Sequence, residues 1–137
     1  MSESIRKVDY FYIEAPNKPG EGARVLGALR DQGVNFLAFS GFPKGRKAQI
    51  DFIPDSPVKF RAAARKANLT VSTRKRGFLV QGDDRPGAVA GIMSKLSAAK
   101  INVTAIDAVA AGKGRYGAIL WVKPTDYARA AKALGAT

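Results

Sequence analysis

Hydrophobic and polar positions divide the first half of the chain into short alternating elements. Residues 8–15 are rich in aromatic and β-branched side chains and predict a strand. A turn follows at residues 16–20, where Pro sets φ and Gly allows close backbone approach. The spacing then becomes helical: Gly22, Val25, Leu26 and Leu29 form a stripe over residues 21–32. Gly33 is placed to close that helix in the left-handed conformation. Residues 34–41 and 47–53 read as strands about a hairpin tip, Pro43-Lys44-Gly45-Arg46. Asp55 or Ser56 can cap a second helix, with Pro57 tolerated in its first turn and Phe60, Ala63, Ala64 and Ala67 on its buried face. Residues 69–74 predict a last strand.

The succession repeats from Gly77. Residues 78–82 predict a strand, and Val89, Ile92, Met93 and Leu96 lie on one helical face. Strands are expected at residues 102–109 and 116–122 around Gly112-Lys113-Gly114. Thr125 or Asp126 opens a helix with Tyr127, Ala130, Ala131 and Leu134 inward. The register is explicit: Asn17-Lys18-Pro19-Gly20 recurs as Asp84-Arg85-Pro86-Gly87, an offset of 87 − 20 = 67 residues. The same offset places Phe11 on Phe78, Ile13 on Val80, Val25 on Ile92, Leu29 on Leu96 and Asn35 on Asn102. A series in one register indicates duplication of one unit. The expected fold is α+β, with two ferredoxin-like βαββαβ units in tandem at residues 1–75 and 76–137. Each would be an antiparallel sheet with helices on one face. The second lacks room for its last strand, which leaves a sheet edge for the first unit or a second copy of the chain to cover.

Composition narrows the chemistry. Of 137 residues, 46% are hydrophobic, which excludes a disordered chain. There is no Cys and no His, so disulfides, thiolate chemistry, zinc hydrolases and Ser-His-Asp or Cys-His enzymes are excluded. Only Asp83 and Asp84 adjoin among the carboxylates, and neighbours in an extended segment face opposite ways. No catalysis and no cofactor are therefore expected. Asp51, between Ile50 and Phe52, is expected on the solvent face, as is Glu14. No apolar run approaches the roughly 18 residues that span a bilayer, and the first seven residues are polar, so a cytoplasmic protein without a membrane partner is expected. Twenty-three Lys and Arg against 11 Asp and Glu give a net charge of +12. The resulting field attracts anions, whether nucleic acid, phosphorylated metabolites or acidic partners.

The candidate site is the repeated strand-to-helix turn. The first N–H groups of a helix have no intrahelical partner and carry partial positive charge, which suits a carboxylate. Gly20 and Gly87 stand there, with Asn17 and Asp84 at the mouths. Asn donates and accepts, whereas Asp accepts and favours an ammonium. Asn35 and Asn102 open the second strands and are expected to reach the same place if first and second strands lie close together.

These motifs resemble a pair of ACT domains, the small-molecule-sensing modules attached to enzymes of amino-acid metabolism. The resemblance rests on the Asn17-Lys18-Pro19-Gly20 turn, the helix after it and Gly33-Val34-Asn35, then on Asp84-Arg85-Pro86-Gly87 and Ile101-Asn102-Val103. It covers nearly the whole chain. It implies a non-catalytic regulatory protein that binds an amino acid or related carboxylate at an interface, with side-by-side association; the open sheet edge adds the expectation of a homodimer. The pattern is most similar to the serine-sensing domain of phosphoglycerate dehydrogenases, whose turn Asn and second-strand Asn contact the ligand. By that resemblance Asn17, Gly20, Asn35, Asp84, Gly87 and Asn102 form the ligand-binding set. Ala15 and Gly82 stand where that family carries His.

The alternative is a nucleic-acid-binding module of the same topology. It would use Tyr10, Tyr12, Phe52, Tyr116 and Trp121 for stacking, and the basic hairpin tips Lys44-Gly45-Arg46-Lys47 and Lys113-Gly114-Arg115 for charge.

Overall fold

A computed structural model describes residues 3–137. They group into two compact units: Asp9–Lys75, and the chain up to Val8 together with Arg76–Thr137. The strands are β1 (Ser4–Pro16), β2 (Phe36–Lys44), β3 (Lys47–Pro54), β4 (Lys75–Asp83), β5 (Ala105–Gly112) and β6 (Arg115–Trp121). The helices are α1 (Glu21–Asp31), α2 (Pro57–Lys66), α3 (Ala88–Ala98) and α4 (Tyr127–Leu134), the last preceded by a 3₁₀ turn at Pro124–Asp126.

In the Asp9–Lys75 unit the strand order is β2-β3-β1, with antiparallel neighbours. Alternate residues of the strands, Phe11, Ile13, Ile50 and Phe52, share one face and pack with Val25 and Leu29 of α1 and Phe60 and Ala63 of α2. Phe60 anchors this core. Its ring lies 5.1 Å from Phe11 and 5.4 Å from Phe52, and burying such a ring contributes roughly 1.5–3 kcal/mol. Ser56 caps α2 by accepting from the Lys59 N–H at 3.2 Å, and Gly33 follows α1 at φ +75°. Both helix boundaries thus follow from ordinary capping chemistry.

In the second unit the order is β1-β4-β6-β5. Phe78, Val80, Ala118 and Leu120 face Ile92 and Leu96 of α3 and Tyr127, Ala130 and Leu134 of α4. The rings of Phe78 and Tyr127 stack at 4.8 Å.

As expected, residues 76–137 end on α4 without a last strand, and the cover for that sheet edge comes from residues 1–75. The start of β1 supplies it: Ile5 is buried in this unit's core, Thr137 N–H donates to the Ile5 carbonyl at 3.0 Å, and Lys7 N–H donates to the Thr137 carbonyl at 2.9 Å. The expected first unit, residues 1–75, therefore yields its opening residues to the other. Residues 69–74, expected as a strand, form no regular ladder. Ser72 N–H donates to the Tyr12 carbonyl at 2.9 Å, but Tyr12 N–H turns to the Ser72 hydroxyl, also at 2.9 Å. A side chain thus replaces the backbone acceptor that a ladder needs. The hairpins are tighter than expected, with two-residue turns at Gly45-Arg46 and Lys113-Gly114.

Asp51 is also corrected: it is 3% exposed. It pairs with Tyr12 and Ser40 in the middle of its sheet and accepts from Gln49 Nε2 at 3.0 Å. Burial, reinforced by the Asp51 charge, pushes the Tyr10 hydroxyl up to about 12.

Candidate functional site

Both strand-to-helix turns enter their helix through a left-handed glycine, Gly20 at φ +92° and Gly87 at φ +84°. The hairpin tip is tied to each turn by one backbone bond. Asn17 N–H donates to the Arg46 carbonyl at 3.2 Å, and Asp84 N–H donates to the Gly114 carbonyl at 2.8 Å. Within the first turn Lys18 N–H donates to the Pro16 carbonyl at 3.0 Å, and Arg24 N–H reaches the Gly20 carbonyl at 2.9 Å. In the second, Ala88 N–H reaches the Arg85 carbonyl at 3.2 Å, and Gly91 N–H the Gly87 carbonyl at 2.9 Å. Among the described residues, no carbonyl or capping side chain accepts from the N–H groups of Gly20, Gly22 and Ala23, or from those of Gly87, Val89 and Ala90. Each turn therefore presents three open donors at the positive end of an eleven-residue helix.

A cleft lies beside each set. The first holds about 270 Å³ and is lined by Asn17, Lys18 and Glu21 from the turn and Phe39, Phe42 and Ile50 from the strands. The second holds about 320 Å³, with Asp84, Arg85 and Val89 on one side and Ala108, Val109 and Tyr116 on the other.

Their charges are arranged differently. Glu21 stands in the first turn of α1, and its carboxylate is gripped by Arg24 at 2.9 Å, which holds it below the usual carboxylate range. The first turn of α3 carries no acid. Beside the second turn, Asp83 is lowered by the Arg115 guanidinium at 2.7 Å. Tyr116 donates to Glu3 Oε2 at 3.0 Å. Its hydroxyl is pushed up to about 12, first by burial and then by that bond and the Glu3 charge. A Cβ at Gly82 would meet the Tyr116 ring at 2.9 Å, so glycine is what lets the ring lie there.

Of the residues expected at the site, Asn17 lines the first cleft and Asp84 and Gly87 line the second, while Gly20 is the N-cap of α1 and does not line the first cleft. Asn35 and Asn102 are not brought to the turn of their own unit. Strand β3 separates β1 from β2. Asn35 accepts from Asp55 N–H at the Pro54 end of β3, whereas Asn17 is tied at the Lys47 end. Those seven steps of strand span about 24 Å. Asn102 precedes β5, whose Ala105 pairs with Trp121, while Asp83 pairs with Arg115, six steps or about 20 Å away.

The clefts also contain Glu21, Phe39, Phe42, Arg85 and Val109, which were not singled out as site residues. The sheet register puts Phe39 opposite Phe52 and Gly41 opposite Ile50, on the helix-bearing face, a pairing that no local pattern in the sequence announces.

No protein-family model matches the chain, and no curated protein matches it. Solved structures do. Protein BT0572 from Bacteroides thetaiotaomicron is similar over 96% of this chain and 88% of its own, with a TM-score of 0.82 at 18% identity. The ligand-free regulatory subunit of aspartate kinase from Thermus thermophilus is similar over 98% and 95%, with a TM-score of 0.65 at 19% identity. Aspartate kinase from Clostridium acetobutylicum is similar over 97% of this chain and 33% of its own, with a TM-score of 0.56 at 16% identity. At these identities the likeness is one of fold: the chain has the ACT-like α+β fold of aspartate kinase regulatory subunits.

Proposed function

We propose that the chain is a non-catalytic regulatory protein of amino-acid metabolism that binds a small amino acid or related carboxylate at its two strand-to-helix turns. The observation that carries this reading is the set of three open N–H donors at each turn, with a cleft lined by Gly87, Val89 and Ala90 in one unit and by Gly22 in the other. A ligand carboxylate takes those donors, and Glu21 or Asp84 accepts from its ammonium. Clefts of about 270 and 320 Å³ suit a ligand of amino-acid size. The shared fold with aspartate kinase regulatory subunits supports a regulatory role.

Binding signals by favouring one arrangement of the chain over another. We include a homodimer in the proposal, because the outermost strands β2 and β5 expose Leu37, Phe39, Phe42 and Val109. Asn35 and Asn102 contribute in this proposal only where a second copy brings its turn to them. Among the described residues no helix is long and apolar enough to cross a membrane. We place the protein in the cytoplasm.

A thermal-shift panel of the twenty amino acids tests the reading. A ligand at 100 times its Kd adds about 2.7 kcal/mol to stability. The expected result is a shift with one or a few amino acids that is lost in the double variant Gly20→Val/Gly87→Val. No shift with any amino acid, or a shift that survives the double variant, contradicts it.

A further inference from the structure

The basic excess is concentrated along the chain. From Ser56 to Gly82 there are seven Lys and Arg and no Asp or Glu. Four of them, Lys59, Arg61, Arg65 and Lys66, belong to α2. This helix turns Phe60, Ala63 and Ala64 to the core. At 100° per residue its remaining face carries Arg61 and Arg65 along one flank, and Lys59 and Lys66 along the other. Between them run Ala62 and Val58, the latter 81% exposed.

The four cations are exposed, and among the described residues none forms an ion pair with a carboxylate. Elsewhere six cations, Arg24, Arg30, Lys44, Lys95, Arg115 and Arg129, each hold an acid. The hairpin tips, the electrostatic candidates of the sequence, are partly neutralised in this way through Lys44–Glu14 and Arg115–Asp83. Arg61 is also positioned, with its guanidinium 5.1 Å from the centre of the Phe11 ring.

We propose that the outer face of α2 docks the phosphate backbone of double-stranded nucleic acid. Two parallel rows of cations without an interspersed acid complement a regular line of phosphates. An acidic protein surface would need a large buried anchor, usually aromatic or Arg in a pocket, and this face offers only Val58 and Ala62 between its charges. A lipid surface would need an apolar face to insert, and that face of α2 is already buried. A single strand would need aromatic platforms, which this face lacks. The contact is therefore to backbone and not to base edges, so it is insensitive to sequence and steeply sensitive to salt.

Fluorescence anisotropy of a short labelled duplex DNA with the full chain tests this. Four neutralised phosphates give a log–log salt slope of about −3.6, so affinity falls about 100-fold between about 50 and 200 mM salt. The variant Lys59→Gln/Arg61→Gln/Arg65→Gln/Lys66→Gln loses that slope and most of the binding. If it does not fold, Arg61→Gln/Arg65→Gln is read instead and loses about half the slope. The charge-matched control Lys95→Gln/Lys100→Gln/Lys123→Gln/Lys132→Gln keeps binding within about threefold. Absent binding, binding unaffected by the α2 variant, or equal loss in the control overturns the proposal. So does equal or tighter binding of polyglutamate or of phosphatidylserine vesicles at the same salt.

Discussion

The two turns share a backbone and differ in their linings. Gly20 and Gly87 adopt nearly the same φ, and both leave three donors open at the head of a helix. The first cleft is walled by Phe39 and Phe42 and keeps a carboxylate, Glu21, inside the first helical turn. The second is walled by Ala108, Val109 and Tyr116, and its helix starts on Ala88 with no acid in the first turn. A negative side chain at a helix N-terminus offsets the positive end that an anion would use. In the proposed reading the head of α3 therefore holds a carboxylate more strongly, and each cleft keeps an acid, Glu21 or Asp84, for an ammonium. The donor geometry is common to the two turns, and the difference lies in the walls.

The largest expected effect concerns positions Ala15 and Gly82, which match in the repeat. Ala15 lines the first cleft, whereas a methyl at Gly82 runs into the Tyr116 ring at 2.9 Å. Gly82→Ala is expected to cost about 1–3 kcal/mol in chemical denaturation. Ala15→Gly should cost less than that, and comparable losses would erase the distinction between the walls.

Gly20→Ala and Gly87→Ala come next. Nothing lies within 4 Å of either added Cβ, so the expected loss of about 1–2 kcal/mol is backbone strain at positive φ. Equal losses in the two variants support a shared turn geometry, whereas a neutral effect in one breaks it.

The third prediction concerns pH. Tyr116 has a folded pKa raised from 10.0 to about 12, so its contribution is complete below pH 10 and is lost as pH rises toward 12. Tm should fall across that window. Tyr116→Phe should flatten part of the fall, leaving the part due to Tyr10, which is raised to the same range. An unchanged profile in Tyr116→Phe would remove the phenol from the account of the second wall.

The smallest effect is Glu21→Gln. Removing the acid from the first helical turn should tighten a simple monocarboxylate at the first cleft about two- to fivefold by calorimetry, equivalent to about 0.3–1 kcal/mol. The same change should leave the second cleft untouched. A weaker first cleft in this variant would mean that Glu21 contributes binding even to a ligand without an ammonium.

What could be read in the sequence was local or repeated. The Pro-Gly turns, the helical stripes of Val25 with Leu29 and of Ile92 with Leu96, and the Ser56 cap all depend on neighbours within a few residues. The regular repeat then placed Phe60 and Tyr127 at equivalent core positions. Three features depended on partners distant in the chain. Ile5 joins the core of the second unit through a pairing with residues beyond position 75, which no local pattern around Arg6 and Lys7 announces. Asp51 follows strand alternation as expected, but alternation selects a face and does not say whether that face is covered. Asn35 follows its helix as expected, yet β3 inserts between β1 and β2, so proximity to the turn is lost with the strand order. The cleft walls were hidden for the same reason, since Phe39 and Val109 come from strands that only the sheet register brings beside the helices.

The central claim is that the six open amides receive the ligand. Amide chemical shifts in a ¹⁵N-labelled chain, titrated with the amino acid that gives the largest thermal shift, test it most directly. The account predicts saturable changes concentrated at Gly20, Gly22, Ala23, Gly87, Val89 and Ala90, larger in the second set at low ligand. Saturable changes confined to residues outside both turns, with these six unmoved, would contradict it.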